Sequence, residues 1–177
     1  MGSGMSDLRV PKRQVRVEVL LAGMPPVQLH LFQAEHAQSH SGFERPSDLL
    51  NRGLTFLPAM GLDGSAQVVR REAILRMTVG RSAELSGDEP PDDGSDAAGL
   101  IRLDVEVGFD TGDRARGRLV AMQPENRRRL VDYLNDCSQF FCLRDQDQIH
   151  IVNKLRISRT SLLADGLATG ARLSRAM

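Results

Sequence analysis

Apolar and polar residues alternate strictly near the start of the chain. Val15, Val17, Val19 and Leu21 fall on one side, with Arg16, Glu18 and Leu20 between them. A period of two is the mark of a strand with one covered face. Ala22-Gly23-Met24-Pro25-Pro26 supplies turn residues, and Val27, Leu29 and Leu31 resume the period, which predicts a hairpin. Pro46 opens a short helix over Ser47–Asn51 that presents Leu49 and Leu50, and Gly53 closes it. Leu54 to Met60 reads as a strand disturbed by Pro58 and so placed at an edge or a bulge. After a turn over Gly61–Ser65, Ala66 to Val79 makes two strand pieces around Arg70-Arg71-Glu72.

The second half of the chain repeats this order. Leu103, Val105, Val107 and Phe109 alternate with Arg102, Asp104, Glu106 and Gly108, and Asp110-Thr111-Gly112-Asp113 forms the turn before a strand from Ala115 to Met122. Glu125 to Asn135 is expected to be a helix with Pro124 at its entrance and Leu130, Val131 and Leu134 as its apolar stripe. Phe140 to Leu143 is the next strand and Arg144 to Asp147 a polar turn. Ile149, Ile151, Leu155 and Ile157 mark two last strand pieces around Asn153-Lys154.

Landmark residues agree between the halves. Asp48-Leu49-Leu50-Asn51 matches Asp132-Tyr133-Leu134-Asn135, and Phe56-Leu57 matches Phe140-Phe141, at a constant offset of 84 residues. Ile74-Leu75-Arg76 then matches Ile157-Ser158-Arg159 after one residue is closed up. Such agreement points to a duplicated module. The expected organisation is a tag remnant and flexible lead-in over 1–12, a β-rich module over 13–83 and an acidic flexible linker over 84–99. A second module follows over 100–160, and residues 161–177 form a partly disordered tail or short helix.

Composition narrows the function more by exclusion than by assertion. Acidic and basic residues balance at 23 each, which disfavours a broad nucleic-acid surface. No apolar run reaches the length of a membrane span, so a cytoplasmic protein is expected. Modules of about 65 residues lie near the lower size for independent folding and should pack on each other or on a second chain. Cys137 and Cys142, the only two cysteines, do not have redox or zinc spacing and read as reduced thiols with at least one buried, on opposite faces of a strand.

No nucleophile elbow, phosphate loop or dinucleotide fingerprint is present. His36 and His40 share a helical spacing, but Ser39 and Gly42 weaken any helix there, and a solvated loop is expected instead of a metal site. His150, between Ile149 and Ile151, should face solvent. Arg127-Arg128-Arg129 could bind phosphate oxygens of RNA or a cyclic dinucleotide if the helix presents them together. Arg70-Arg71 and Arg114-Arg116-Arg118 read as exposed strand faces that could line one basic strip. Asp48 with Asn51, and Asp132 with Asn135, are repeated polar residues whose simplest reading is helix capping.

The second half, with LDVEVGFDTGDRARGRL at its start, Gly117-Arg118-Leu119 within it and IHIVNKLRI at its end, resembles the five-stranded barrel of the Sm-like superfamily. The helix lies between the second and third strands here, whereas that family carries it at the N-terminus, and the family's uridine-binding aspartate and asparagine are not recoverable. Leu49-Leu50-Asn51 with Phe56-Leu57-Pro58 is also similar to short, largely uncharacterised bacterial domains. The resemblance implies a mainly β fold with short helices: two tandem, pseudo-symmetric small barrels. It supplies no catalytic residue, metal or cofactor. The functional expectation is a non-enzymatic adaptor or scaffold that uses strand edges or the Phe140–Phe141 pair for protein contacts or self-association. An RNA- or cyclic-dinucleotide-binding protein using the second module's Arg127, Arg128 and Arg129 is the alternative; Arg70 and Arg71 are further candidates for contact with a partner or ligand.

Overall fold

The alternation near the start becomes β1 (Lys12–Leu21) in the computed structural model, which describes residues 12–37, 42–85 and 98–163. Val15, Val17 and Val19 are buried on one side of it, and Gly23 at φ 74° turns the chain into β2 (Val27–Ala34). The two strands pair antiparallel, Val15 opposite Leu31 and Val19 opposite Val27. Next come α1 (Pro46–Asn51), β3 (Phe56–Gly61) and β4 (Ala66–Arg70). A 3-10 turn over Arg71–Ala73 leads into β5 (Ile74–Gly80) and a one-turn helix α2 (Arg81–Glu84). The second half runs β6 (Leu100–Phe109), β7 (Arg114–Met122), α3 (Leu130–Asp136), β8 (Phe140–Asp145) and β9 (Gln148–Asn153). A 3-10 turn over Lys154–Arg156 precedes β10 (Ile157–Leu162).

Among the described residues all ten strands belong to one antiparallel sheet in the order β10-β6-β7-β8-β9-β5-β1-β2-β3-β4. Each half has the same internal order, with its fifth strand beside its first and its fourth at the far end. Irregularities repeat as well. Pairing of β1 with β5 passes over Leu75, and pairing of β6 with β10 passes over Ser158, a bulge at the corresponding place. The fold is therefore mainly β. Neither half closes into a barrel, because β5 bonds to β1 and β9 while β4, among the described residues, bonds only to β3. Hydrogen bonding that would have closed the first half is given instead to the second.

Two hydrophobic cores result. One gathers Val15, Val17, Leu29, Leu50 and Leu57 with Phe140, Ile149 and Ile151 from the other half. The second gathers Val105, Val107, Leu119, Phe141 and Val152 with Leu20 and Leu75. Strands at the seam serve both, since successive side chains point to opposite faces. Phe140 and Phe141 thus enter different cores. Close approach of β8 to β7 depends on Gly117, where a Cβ would lie 2.9 Å from the Arg144 carbonyl oxygen and 2.9 Å from the Leu143 Cβ.

Several elements differ from expectation. The helix expected over Glu125–Asn135 is a 3-10 turn at Glu125–Arg127 followed by α3, with Arg129 extended between them at φ −83° and ψ 149°. The break arises because Asp132 accepts from the Arg129 backbone N–H at 3.3 Å and from its guanidinium at 3.0 and 3.2 Å, a reciprocal cap that fixes Arg129 outside the helix. Arg45 and Asp48 make the same cap on α1. Pro58 sits on an interior strand and not at the edge; the β2–β3 ladder runs only from Ala59 to Gly61 and stops before the residue that lacks an N–H. Leu155 lies in the last 3-10 turn, exposed, and not in a strand. Glu84 and Leu85, expected in the linker, belong to the fold, and β10 extends to Leu162. The rest of the linker (86–97), the lead-in through residue 11 and the tail from 164 lie outside the described residues.

Candidate interaction site at the internal joint and the open sheet edges

The halves meet where β5 pairs with β9, Arg76 opposite Val152, Met77 opposite Ile151, Thr78 opposite His150 and Val79 opposite Ile149. Beside this ladder, Asn51 in the last turn of α1 reaches β8. Its amide donates to the Phe140 carbonyl at 2.9 Å and accepts from the Phe140 N–H at 3.0 Å, so one side chain satisfies both polar groups of a strand residue. The Phe140 ring is 2% exposed and lies under the Arg71 guanidinium, 5.8 Å from its centroid, while Arg71 also donates to the Leu50 carbonyl at 3.2 Å. Asn153 donates to the Ile74 carbonyl at 3.0 Å, a further bond between halves.

A buried carboxyl completes the joint. Glu84 accepts from the Ser47 backbone N–H at 3.1 Å, from the Ser47 hydroxyl and from the Cys142 thiol at 3.5 Å, tying α2 to α1 and β8. Burial pushes its pKa up to about 7, against the opposing pull of the Ser47 hydrogen bonds. His150 is buried here too, contrary to the expected solvent side, because β5 covers the outer flank of β9. Its Nδ1 shares a 2.9 Å hydrogen bond with the Thr78 hydroxyl, and its Nε2 lies 3.4 Å from the Asp145 carboxylate. Burial and the neighbouring Arg76 hold it below the usual imidazole range.

The strand registers fix which positions correspond. Phe56 stands opposite Arg70 as Phe140 stands opposite Asn153, and Pro58 opposite Val68 as Cys142 stands opposite Ile151. Residues that are sealed in the joint in one half are open in the other. Phe140 and Ile151 are 2% and 0% exposed, whereas Phe56 and Val68 are 55% and 70% exposed. Leu54, just before β3, and Leu62, in the turn between β3 and β4, are exposed as well. At the opposite edge Leu162, the counterpart of buried Val79, is 60% exposed. Contiguous exposed apolar groups on a strand edge are an association surface.

The residues singled out in the sequence fall in quite different settings. Phe140 and Phe141 are buried and offer no surface to a partner; consecutive apolar residues here mark a strand covered on both faces. Arg71 belongs to the joint, and Arg70 pairs with Glu72 at 2.8 Å. Arg127 pairs with Asp136 at 2.5 Å and Arg129 with Asp132. Arg128 is exposed, beside a shallow groove of about 450 Å³ lined by Met122, Pro124 and Glu125. The basic strip is neutralised across the hairpin, Arg114 and Arg116 on Glu106 and Arg118 on Asp104. Cys137 and Cys142 form no disulfide and are partly buried against different cores. His40 lies outside the described residues, and among the described residues no group of three potential ligands could hold a metal. No described helix is long and apolar enough to cross a membrane. Comparison with protein-family models, curated proteins and solved structures finds no match to this chain. Phe56 and Val68 are the functional candidates that sequence reasoning passed over; the signal was the repeat itself, since apolar residues buried in one copy need covering in the other.

Proposed function

We propose that this protein is a non-enzymatic adaptor or scaffold built from two tandem, pseudo-symmetric modules that resemble Sm-like β units. It acts through protein–protein contacts or self-assembly at its open strands. The observation that carries this reading is the apolar edge at Phe56 and Val68, exposed where the matching residues of the other half are sealed. A non-catalytic role fits the Thr78–His150–Asp145 chain of contacts, whose Thr and His are each 7% exposed and hold the joint together. A cytoplasmic setting suits two cysteines that form no disulfide. Light scattering across a dilution series tests the proposal: the wild type should gain mass with concentration and Phe56→Asp should stay monomeric. Equal, concentration-independent masses for both, with no loss of partner binding in the variant, would contradict it.

Exposed Arg128 at the groove favours a second reading, an RNA- or cyclic-dinucleotide-binding protein. Pairing of Arg127 and Arg129 with acids weakens that reading. It requires a salt-sensitive affinity that disappears when Arg127, Arg128 and Arg129 are all replaced by Ala. The expected titration is flat.

A further inference from the structure

We propose that copies of this chain join head to tail, β10 of one copy pairing antiparallel with β4 of the next in the register of the internal β5–β9 joint. This rests on the scaffold reading above and names its partner as a second copy. The argument is continuity with an interface the molecule already contains. Its strand order places a fourth strand beside a fifth once, at β9 and β5, and leaves one fourth strand and one fifth strand as the two ends of the sheet. Transferring the register puts Thr160 opposite Val68 and Leu162 opposite Ala66, as Met77 lies opposite Ile151 and Val79 opposite Ile149.

The parts that grip the internal joint are present again at the far end of the sheet. Asn135 occupies the place of Asn51 and is exposed, and its side chain makes no hydrogen bond among the described residues, whereas Asn51 holds both backbone groups of Phe140. Lys154 donates to the Leu134 carbonyl at 3.2 Å as Arg71 donates to the Leu50 carbonyl, so a cation waits where the incoming Phe56 ring would lie. Asn135 would then clasp the Phe56 backbone of the next copy. Such a contact is heterologous, using different patches on the two partners, and propagates into a ring or a filament. Thr160 and Ala66 replace the bulkier Met77 and Ile149, so less apolar surface is sealed than inside the chain and the association is reversible.

Edge-blocking variants test the geometry. Val68→Lys blocks β4 and leaves β10; Leu162→Lys blocks β10 and leaves β4. Both positions are exposed, so both variants should melt like the wild type. Each alone is expected to be a monomer, and an equimolar mixture should give a complex of twice the 19.5 kDa chain mass that stops there. Asn135→Ala added to Val68→Lys should weaken that complex by about tenfold, the effect of losing roughly one to two hydrogen bonds, without moving the melting temperature. If either single variant still dimerises, like edges pair with like and the head-to-tail proposal is overturned. If the wild type assembles but neither variant alters its mass, the proposal is overturned while a scaffold acting through another surface stands. A wild type that is monomeric at every concentration overturns the proposal, and a partner lost on Phe56→Asp would in that case keep the scaffold reading.

Discussion

Asn51 and Phe140 are joined by two hydrogen bonds of 2.9 and 3.0 Å, the amide of one closing both backbone groups of the other across the seam between the halves. Asn51→Ala removes both partners. Each net bond contributes about 0.5–1.5 kcal/mol, so the variant should lose on the order of 1–3 kcal/mol in urea unfolding of the dilute monomer. Asn135→Ala, lacking such bonds within the chain, should unfold like the wild type. Equal losses from the two would mean that Asn51 acts only through its own helix.

Phe140 and Phe56 hold corresponding positions with opposite burial, so the same truncation should have unlike consequences. Phe140→Ala opens a cavity in the first core and strands the Arg71 guanidinium above it, at a cost of about 3–5 kcal/mol. Phe56→Ala should change monomer stability by no more than about 0.5 kcal/mol. Thermal melts of the two variants at low concentration check this directly.

Glu84 makes the joint sensitive to pH. Its pKa is raised to about 7 in the folded chain, above that of an unfolded glutamate, so the folded state binds its proton more tightly. The stability this contributes is fully present below the unfolded value near 4.5 and is lost as pH rises through about 7. Glu84→Gln keeps a neutral, hydrogen-bonding side chain and should flatten that decline, making the variant more stable than the wild type at pH 8. His150 works in the opposite sense. Its folded pKa is depressed below the usual 6.5, so its contribution is present above that value and lost as pH falls through the folded one. His150→Gln should therefore steepen the decline with rising pH that Glu84 produces.

Local pattern carried much of the fold. Val15–Val19 and Leu103–Phe109 show a period of two because one face of β1 and β6 is covered along them, whereas Leu20 on the other face of β1 enters the second core, and Arg70-Arg71-Glu72 interrupts two strand pieces where the 3-10 turn stands. What could not be read locally is the pairing of β5 with β9, which joins residues more than 60 positions apart. That pairing decides the rest: it buries His150, which alternation alone would place in solvent, and sends Phe140 into the opposite half's core. Arg129 shows a different failure. Its helix-forming neighbours favour one continuous helix, but the cap with Asp132 wins, and Arg45 with Asp48 had already displayed the same spacing. The repeated Asp and Asn are both explained, the Asp as a cap and Asn51 as a clasp, not as the helix-terminal cap first expected, since Arg52 ends α1 at φ −63°.

Gly117 tests the contact between β7 and β8. Gly117→Ala would force a methyl group against the Arg144 backbone, which cannot yield without moving the strand. A cost of about 1–3 kcal/mol is expected from such overpacking, seen as a lower melting temperature with little change at Gly80→Ala, where the added carbon meets open space.

Amide hydrogen exchange followed across a concentration series addresses the open edges most directly. Backbone amides of Ala66–Arg70 and Ile157–Leu162 should become protected together as concentration rises, with Phe56 following them, while the β5–β9 seam stays protected throughout. Protection that grows on neither edge strand, or on only one of them, would contradict the account of two complementary free ends.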